Sequence, residues 1–411
     1  RNTAISRTQM TGTVFSAEQV APPSMPSVYP DGWKRGQQAD PDRSANYIAH
    51  TMIGDPLADT MIEDLESLGK EESERLIRLG MHDHEGDALR EAPASVREFF
   101  SHCVEPPDWL DLPSLLPGCQ MFWRNGRLVL AGMVGGVLVE GFSTNIAKSF
   151  FLTGRLRDQG VRRLQQNNRH MLEIFMPGGM EAHADGWTHS VRVRLVHAKI
   201  RKLLAESAEW DVAELGTPLS AAHVGFAMAA FSARLLKHLK SLGGSFSEEE
   251  RRSFMAVWRY SGYLMGVPET ILYRDEEEAL EIFRIGLLCE PPPSLESIVL
   301  ATSLINSAPL IAGIDDDDER RNLSGYVAQI SRALIGNELA DALRYPKSRT
   351  FGSLWKFRTL NRFERIMDRL MPGRSGAEAT LTTLFDVSHF DEMGISYRLP
   401  DHVHAERSSR W

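Results

Sequence analysis

The feature that most constrains this chain is the spacing of its apolar residues. Stretch after stretch places them three and four apart between acidic starts and glycine or proline stops: DPLADTMIEDLESLGK, PASVREFFSHC, LSAAHVGFAMAAFSARLLKHLKSLGG, SEEERRSFMAVWRYSGYLMG, DEEEALEIFRIGLL and NRFERIMDRLMPG. Runs that alternate apolar with polar are almost absent. That pattern predicts an all-α fold. Ser247 ahead of Glu250 and Asp275 ahead of Glu278 are read as helix caps, with acids gathered where the helix dipole is positive.

Before the helical texture begins, residues 1–43 are expected to be irregular, because APPSMPSVYPDGW packs four prolines into a short span. Its aromatic residues suggest a strap laid over the body. The remainder, 44–411, is expected to be a single all-helical domain with no internal repeat. The acidic run from Asp315 to Glu319 lacks the glycine and the later glutamate of a calcium loop and is read as a turn and helix start. His82, Asp83, His84, Glu85 and Asp87 gather potential ligands in a glycine-containing loop but match no zinc-enzyme spacing.

Charge and cysteine content remove several function classes. With 46 basic and 55 acidic side chains the net charge is −9, which argues against a nucleic-acid protein that works by neutralising phosphates, although a local basic patch stays compatible with that balance. Cys103, Cys119 and Cys289 are few and far apart, so neither a disulfide framework nor a structural zinc site is indicated. The longest apolar run, Leu128 to Val139, falls short of the about 18 residues a spanning helix needs and reads as a buried helix, so no transmembrane segment is expected. Opening on Arg1 in a polar stretch without an apolar signal core, the chain has the look of a processed or trimmed form; the cytoplasm is slightly favoured over secretion after signal removal. Monomer and dimer are equally compatible with the sequence.

The residues that carry chemistry lie between Gly132 and Glu206. GMVGGVLVEGF offers small residues that let a backbone or a flat ligand approach closely; NIAKSFFLTGRL follows, then a helix VRRLQQNNRHMLEIF, a break at Pro177-Gly178-Gly179, and a second helix from Thr188 to Glu206. In that second helix Val193, Val196, Ile200, Leu203 and Leu204 form the expected apolar stripe, with His197 inside it and Arg194 and Arg201 flanking it three and four residues away. A core histidine bonded to a carbonyl fits this pattern. So does an axial haem ligand, with the arginines gripping the propionates or anchoring the helix. In the first helix Arg163 and Asn167 share a mostly apolar face, where they need a ligand or a partner such as an acid.

LTGRL, VRRLQQNN, PGGM, GW, WRYSGYLMGVPE and above all SVRVRLVHAKIR resemble the catalytic domain of the rubber oxygenases, the latex clearing proteins, a group that includes a fungal oxygenase of mycophenolic acid biosynthesis. The resemblance runs from about residue 110 to 285. It implies a globin-like helical core holding haem b, with His197 at the position of the proximal iron ligand and Arg194 and Arg201 at arginines of the same motif. It also sets Arg163 at a distal arginine, Asn167 where a threonine is usual and Gln166 near a lysine that can cap the iron. Lys148 falls where the latex clearing proteins carry an acid/base glutamate. An ammonium in place of that carboxylate inverts the available proton chemistry.

The expected function is therefore a haem-dependent oxygenase or related oxidoreductase that uses dioxygen or peroxide on an apolar small molecule other than polyisoprene. His197 is the expected axial ligand and Arg163 with Asn167 the expected distal donors. A haem-binding sensor or carrier and a haem-free helical interaction protein are the alternatives.

Overall fold

A computed structural model describes residues 25–82, 87–153, 168–311 and 314–370, and among them it is helical throughout, with no strand. The N-terminal third comprises α1 (Pro30–Ala39), α2 (Pro41–His50), α3 (Pro56–Leu68), α4 (Lys70–His82) and α5 (Ala94–Val104). The expectation of irregular chain to Arg43 is thus corrected. Pro30, Pro41 and Pro56 each open a helix, at the first-turn position where a missing N–H costs nothing. Of the described strap only residues 25–29 and the linking Asp40 are non-helical. Residues 25–29 cross the body through bonds from the Ser27 and Val28 N–H groups to the carbonyls of Ala213 and Glu214, 3.0 and 3.2 Å, and bury Tyr29 completely.

The centre follows as α6 (Leu116–Arg124), α7 (Gly126–Gly132), α8 (Leu138–Phe142), α9 (Ile146–Leu152), α10 (168–174 in its described part) and α11 (Asp185–Ala205). Beyond these come α12 (Val212–Leu215), α13 (Ala221–Ala229), α14 (Leu235–Ser241), α15 (Glu248–Leu264), α16 (Glu276–Cys289), α17 (Leu295–Ile311), α18 (Asp317–Ile335), α19 (Asn337–Ala342) and α20 (Ser353–Leu370). The expected caps form: Ser247 and Glu250 make a capping box, Asp275 accepts from the Glu278 N–H, and Asp316 caps α18 at the acidic run.

One apolar core runs through nearly all of these helices. An aromatic stack marks its centre: Phe175, just past α10, lies 4.4 Å from Phe122 of α6 and 4.9 Å from Phe254 of α15 between ring centroids. Cys103, Cys119 and Cys289 are free and buried. No single described helix is long and apolar enough to cross a membrane.

Two π-helical turns interrupt the core helices, Met133–Val137 between α7 and α8 and Ala230–Arg234 between α13 and α14, and they face each other. Behind them Glu140 is buried between Arg234 (Nη2 to Oε1, 2.6 Å) and His238 (Nε2 to Oε2, 3.0 Å). A Cβ on Gly136 would stand 2.5 Å from the His238 ring, so the small residues of GMVGGV admit the side chains of α14.

Candidate functional site

The helix expected from Thr188 to Glu206 is α11, one turn longer at its start. Its most buried face is not the predicted apolar stripe. Trp187, Val191, Arg194, Leu195, Ala198, Arg201 and Leu204 are buried, whereas Val193, Val196, His197, Ile200 and Leu203 are half-buried. Two arginines can occupy the deep face because each meets a carboxylate from the start of α3.

Arg194 donates from Nε to Asp55 Oδ2 at 2.6 Å and from Nη2 to Asp55 Oδ1 at 2.9 Å, a bidentate fork with both side chains under a tenth exposed. Arg201 donates from Nη1 to Asp59 and from Nη2 to the Leu219 carbonyl at 3.2 Å. Leu219 itself sits in the left-handed region, φ 46°. Asp55 and Asp59, four apart on α3, therefore hold Arg194 and Arg201, seven apart on α11, in a two-point clamp. These are the contacts of helix anchors, one of the two roles the sequence allowed for the arginines.

His197 sits between the clamped arginines. Its Nδ1 is buried and has no hydrogen-bond partner, so the carbonyl bond of an ordinary core histidine is missing at that atom. Burial, reinforced by the Arg201 charge and only partly offset by Asp55, pulls its pKa down to about 4, which leaves the imidazole neutral at physiological pH. Around it Val193, Val196 and Ile200 give a half-buried apolar strip along α11. Ile200 and Leu152, the last residue of α9, pack on the same small cluster of Leu204, Trp210 and Leu215, so the end of α9 approaches α11 beside this strip.

Lys148 is on α9, and its Nζ lies 3.8 Å from Glu296 Oε1 at the start of α17. The start of α9 is fixed by Glu290, whose Oε2 accepts the Asn145 N–H at 2.8 Å, while Oε1 meets Tyr47, Tyr29 and His223. Arg163, Gln166 and Asn167 lie outside the described residues, as do Asp83, His84 and Glu85. Asn168, the next residue, is buried with both amide atoms unpartnered among the described residues.

Several site residues are not evident in the sequence. Asp55 and Asp59 read there only as the acidic opening of a helix. Gly266, the glycine of WRYSGYLMGVPE, has φ 82°, and a Cβ on it would stand 2.1 Å from Asp55 Oδ2 and 2.6 Å from Arg194 Nε, so that block serves to make room for the clamp. Behind α11, His170 Nε2 lies 3.0 Å from Ser190 Oγ and 3.3 Å from Ser261 Oγ, and burial together with the nearby His189 and His197 drives its pKa well down. Glu173 pairs with His189 and Arg169. Among the described residues no group of three or more His, Cys, Asp or Glu is placed to hold a metal ion.

Residues 121–375 match the family model of the ER-bound oxygenase mpaB/B′ and rubber oxygenase catalytic domain. The rubber oxygenase of Streptomyces sp. (strain K30) is 24% identical over 184 residues, covering 43% of this chain and 44% of that protein; the match thus spans less than half of that relative. The structure of the latex clearing protein LCP in the closed state is similar at a TM-score of 0.62 and 19% identity, over 82% of this chain and 89% of that one.

Proposed function

The chain belongs to the family of mpaB/B′ and rubber oxygenase catalytic domains, and from that premise we propose that it is a haem b-dependent oxygenase acting on an apolar small molecule. The observation that carries this reading is His197: a neutral imidazole with its Nδ1 buried and unpartnered, on an apolar strip of a clamped helix. A neutral ring is the form in which His197 would hold haem iron. With no multidentate metal cluster among the described residues, a single histidine suits a metal whose remaining ligands come from a macrocycle.

Haem b, once bound, supplies the chemistry with dioxygen or peroxide that the side chains lack. The chain's own part is to hold, orient and polarise. Asp55 and Asp59 fix Arg194 and Arg201, and with them the stretch of α11 that carries His197. The Arg201 charge also keeps the ring from taking a proton. Arg163 and Asn167 are assigned, on the family resemblance, the donation of hydrogen bonds to negative charge that develops on the oxidant. Lys148, paired with Glu296, stands where the family resemblance puts an acid/base glutamate, and from that departure the proposed substrate is smaller than and different from polyisoprene.

The test is oxygen uptake by the haem-loaded protein with a panel of apolar small molecules. Substrate-dependent uptake with oxygenated product supports the oxygenase. Tight haem binding with no uptake on any of them would indicate a sensor or carrier instead.

A further inference from the structure

Residues 344–362 hold six basic side chains and no acid, in a chain whose net charge is −9. Five of the six, Arg344, Lys347, Arg349, Lys356 and Arg362, are exposed, and none of them forms an ion pair among the described residues. Six other exposed cations, Lys34, Arg75, Arg90, Arg274, Arg284 and Arg321, each pair with an acid three or four residues away, whereas Arg78, Arg97, Lys237, Lys240 and Arg252 are exposed and unpaired among the described residues but are not gathered with exposed aromatic side chains. The same segment carries Phe351, fully exposed, with Trp355 at 70% and Leu360 at 48%. Among the described residues Phe351 and Trp355 are the only aromatics counted among the exposed large apolar side chains.

The helix explains how both kinds of residue face outward. Leu354 and Phe357 of α20 turn inward onto the core, and Arg358 donates to the Ser241 carbonyl at 2.7 Å, so one side of the helix is held down. The opposite side then presents Trp355, Lys356, Leu360 and Arg362, with Phe351 one turn earlier. Three exposed apolar side chains within ten residues, rimmed by polar ones, mark a candidate interaction site. Its own chemistry selects the partner: bulky rings and a leucine interleaved with uncompensated cations suit the boundary of an anionic bilayer, where rings enter the headgroup layer and cations stay with the lipid charges.

We propose that the start of α20 and the segment before it, residues 344–362, form an interfacial docking face for anionic lipid membranes. Charge complementarity decides the occupant. A duplex read through its phosphates would leave Phe351, Trp355 and Leu360 uncovered, while an anionic membrane takes up the cations and the apolar side chains at once. The contact holds the protein on the surface without spanning it.

The experiment is co-sedimentation of the full chain with phosphatidylcholine vesicles with and without about a third phosphatidylserine. The full chain is expected to pellet with the anionic vesicles, to stay in solution with the neutral ones and to be released by high salt. Lys347→Gln, Lys356→Gln and Arg362→Gln together should weaken binding about a hundredfold, at roughly fivefold for each cation near the surface. Trp355→Ala should weaken it by about tenfold and leave the salt dependence unchanged. All four positions are exposed, so thermal melts of both variants should match the parent. Absence of binding to the anionic vesicles at low salt would overturn the proposal. So would equal binding to both vesicle types, binding that ignores Trp355→Ala, or tighter retention on single-stranded DNA than on the vesicles. A photocrosslinker in place of Trp355 that captures residues 371–411 of the same chain with vesicles present would assign the face to that segment and overturn it likewise.

Discussion

Asp55 does two jobs at once. Its Oδ1 caps α3 through the Ala58 N–H at 3.3 Å, and both oxygens take the fork of Arg194. Removing one partner of such a buried pair leaves the other charge uncompensated, so Asp55→Ala is expected to cost about 3–5 kcal/mol, read as a fall in denaturant midpoint at unchanged slope. A loss under 1 kcal/mol would mean that Arg194 finds another partner. That His197, Arg194 and Arg201 share a side of one helix was legible in the sequence, because residues three and four apart on a helix lie together. The counter-ions of the arginines were not legible, since Asp55 and Arg194 stand 139 positions apart and no local pattern links them. Lys148 belongs to this scale too. The haem-loaded parent is expected to release no carbonyl-terminated fragments from polyisoprene latex, and gain of cleavage in Lys148→Glu would place the residue beside the reacting chain. Robust cleavage by the parent would contradict the role given to Lys148.

At the scale of elements, periodicity identified the helices and misjudged which faces lie deepest. The strip around His197 is apolar yet half-buried, while paired guanidinium groups go to the bottom, an inversion that hydrophobicity alone cannot signal. Prolines misled at the N-terminus for a related reason, since Pro30 and Pro41 start helices as readily as they break them. The two π turns also left no mark in the sequence beyond small residues. They bring together Glu140, Arg234 and His238, and a methyl group on Gly136 would push into that packing; Gly136→Ala should lose about 1–3 kcal/mol in thermal or chemical unfolding. The same cluster sets an acid limit. Burial alone would raise the Glu140 carboxyl, but His238 and Arg234 hold it below its ordinary 4.5, so the unfolded chain takes up that proton first. The stabilisation is complete above about pH 4.5 and drains away as the pH falls through the lower folded value, and Glu290, held down by His223 and the Asn145 N–H, acts in the same sense. Glu140→Gln should therefore flatten the acid limb of stability against pH. An unchanged limb would assign acid unfolding elsewhere.

Across the whole molecule, the matched domain does not contain its own clamp. The family model covers residues 121–375, yet Asp55 and Asp59 come from the start of α3, which precedes it, so the candidate site draws on a part of the chain outside the matched domain. The all-α fold was open to the sequence because every long segment repeated the same spacing. The site was open only in part, because its depth depends on pairs made across the chain. On the proposed function His197 would hold the iron of haem b while the clamp holds the fold. The most direct measurement is the haem content of purified His197→Ala, from the absorption band at about 400 nm, beside its helical circular dichroism. Loss of most haem with the helical signal intact is expected, whereas full haem retention with an unchanged band would contradict a ligand role for His197.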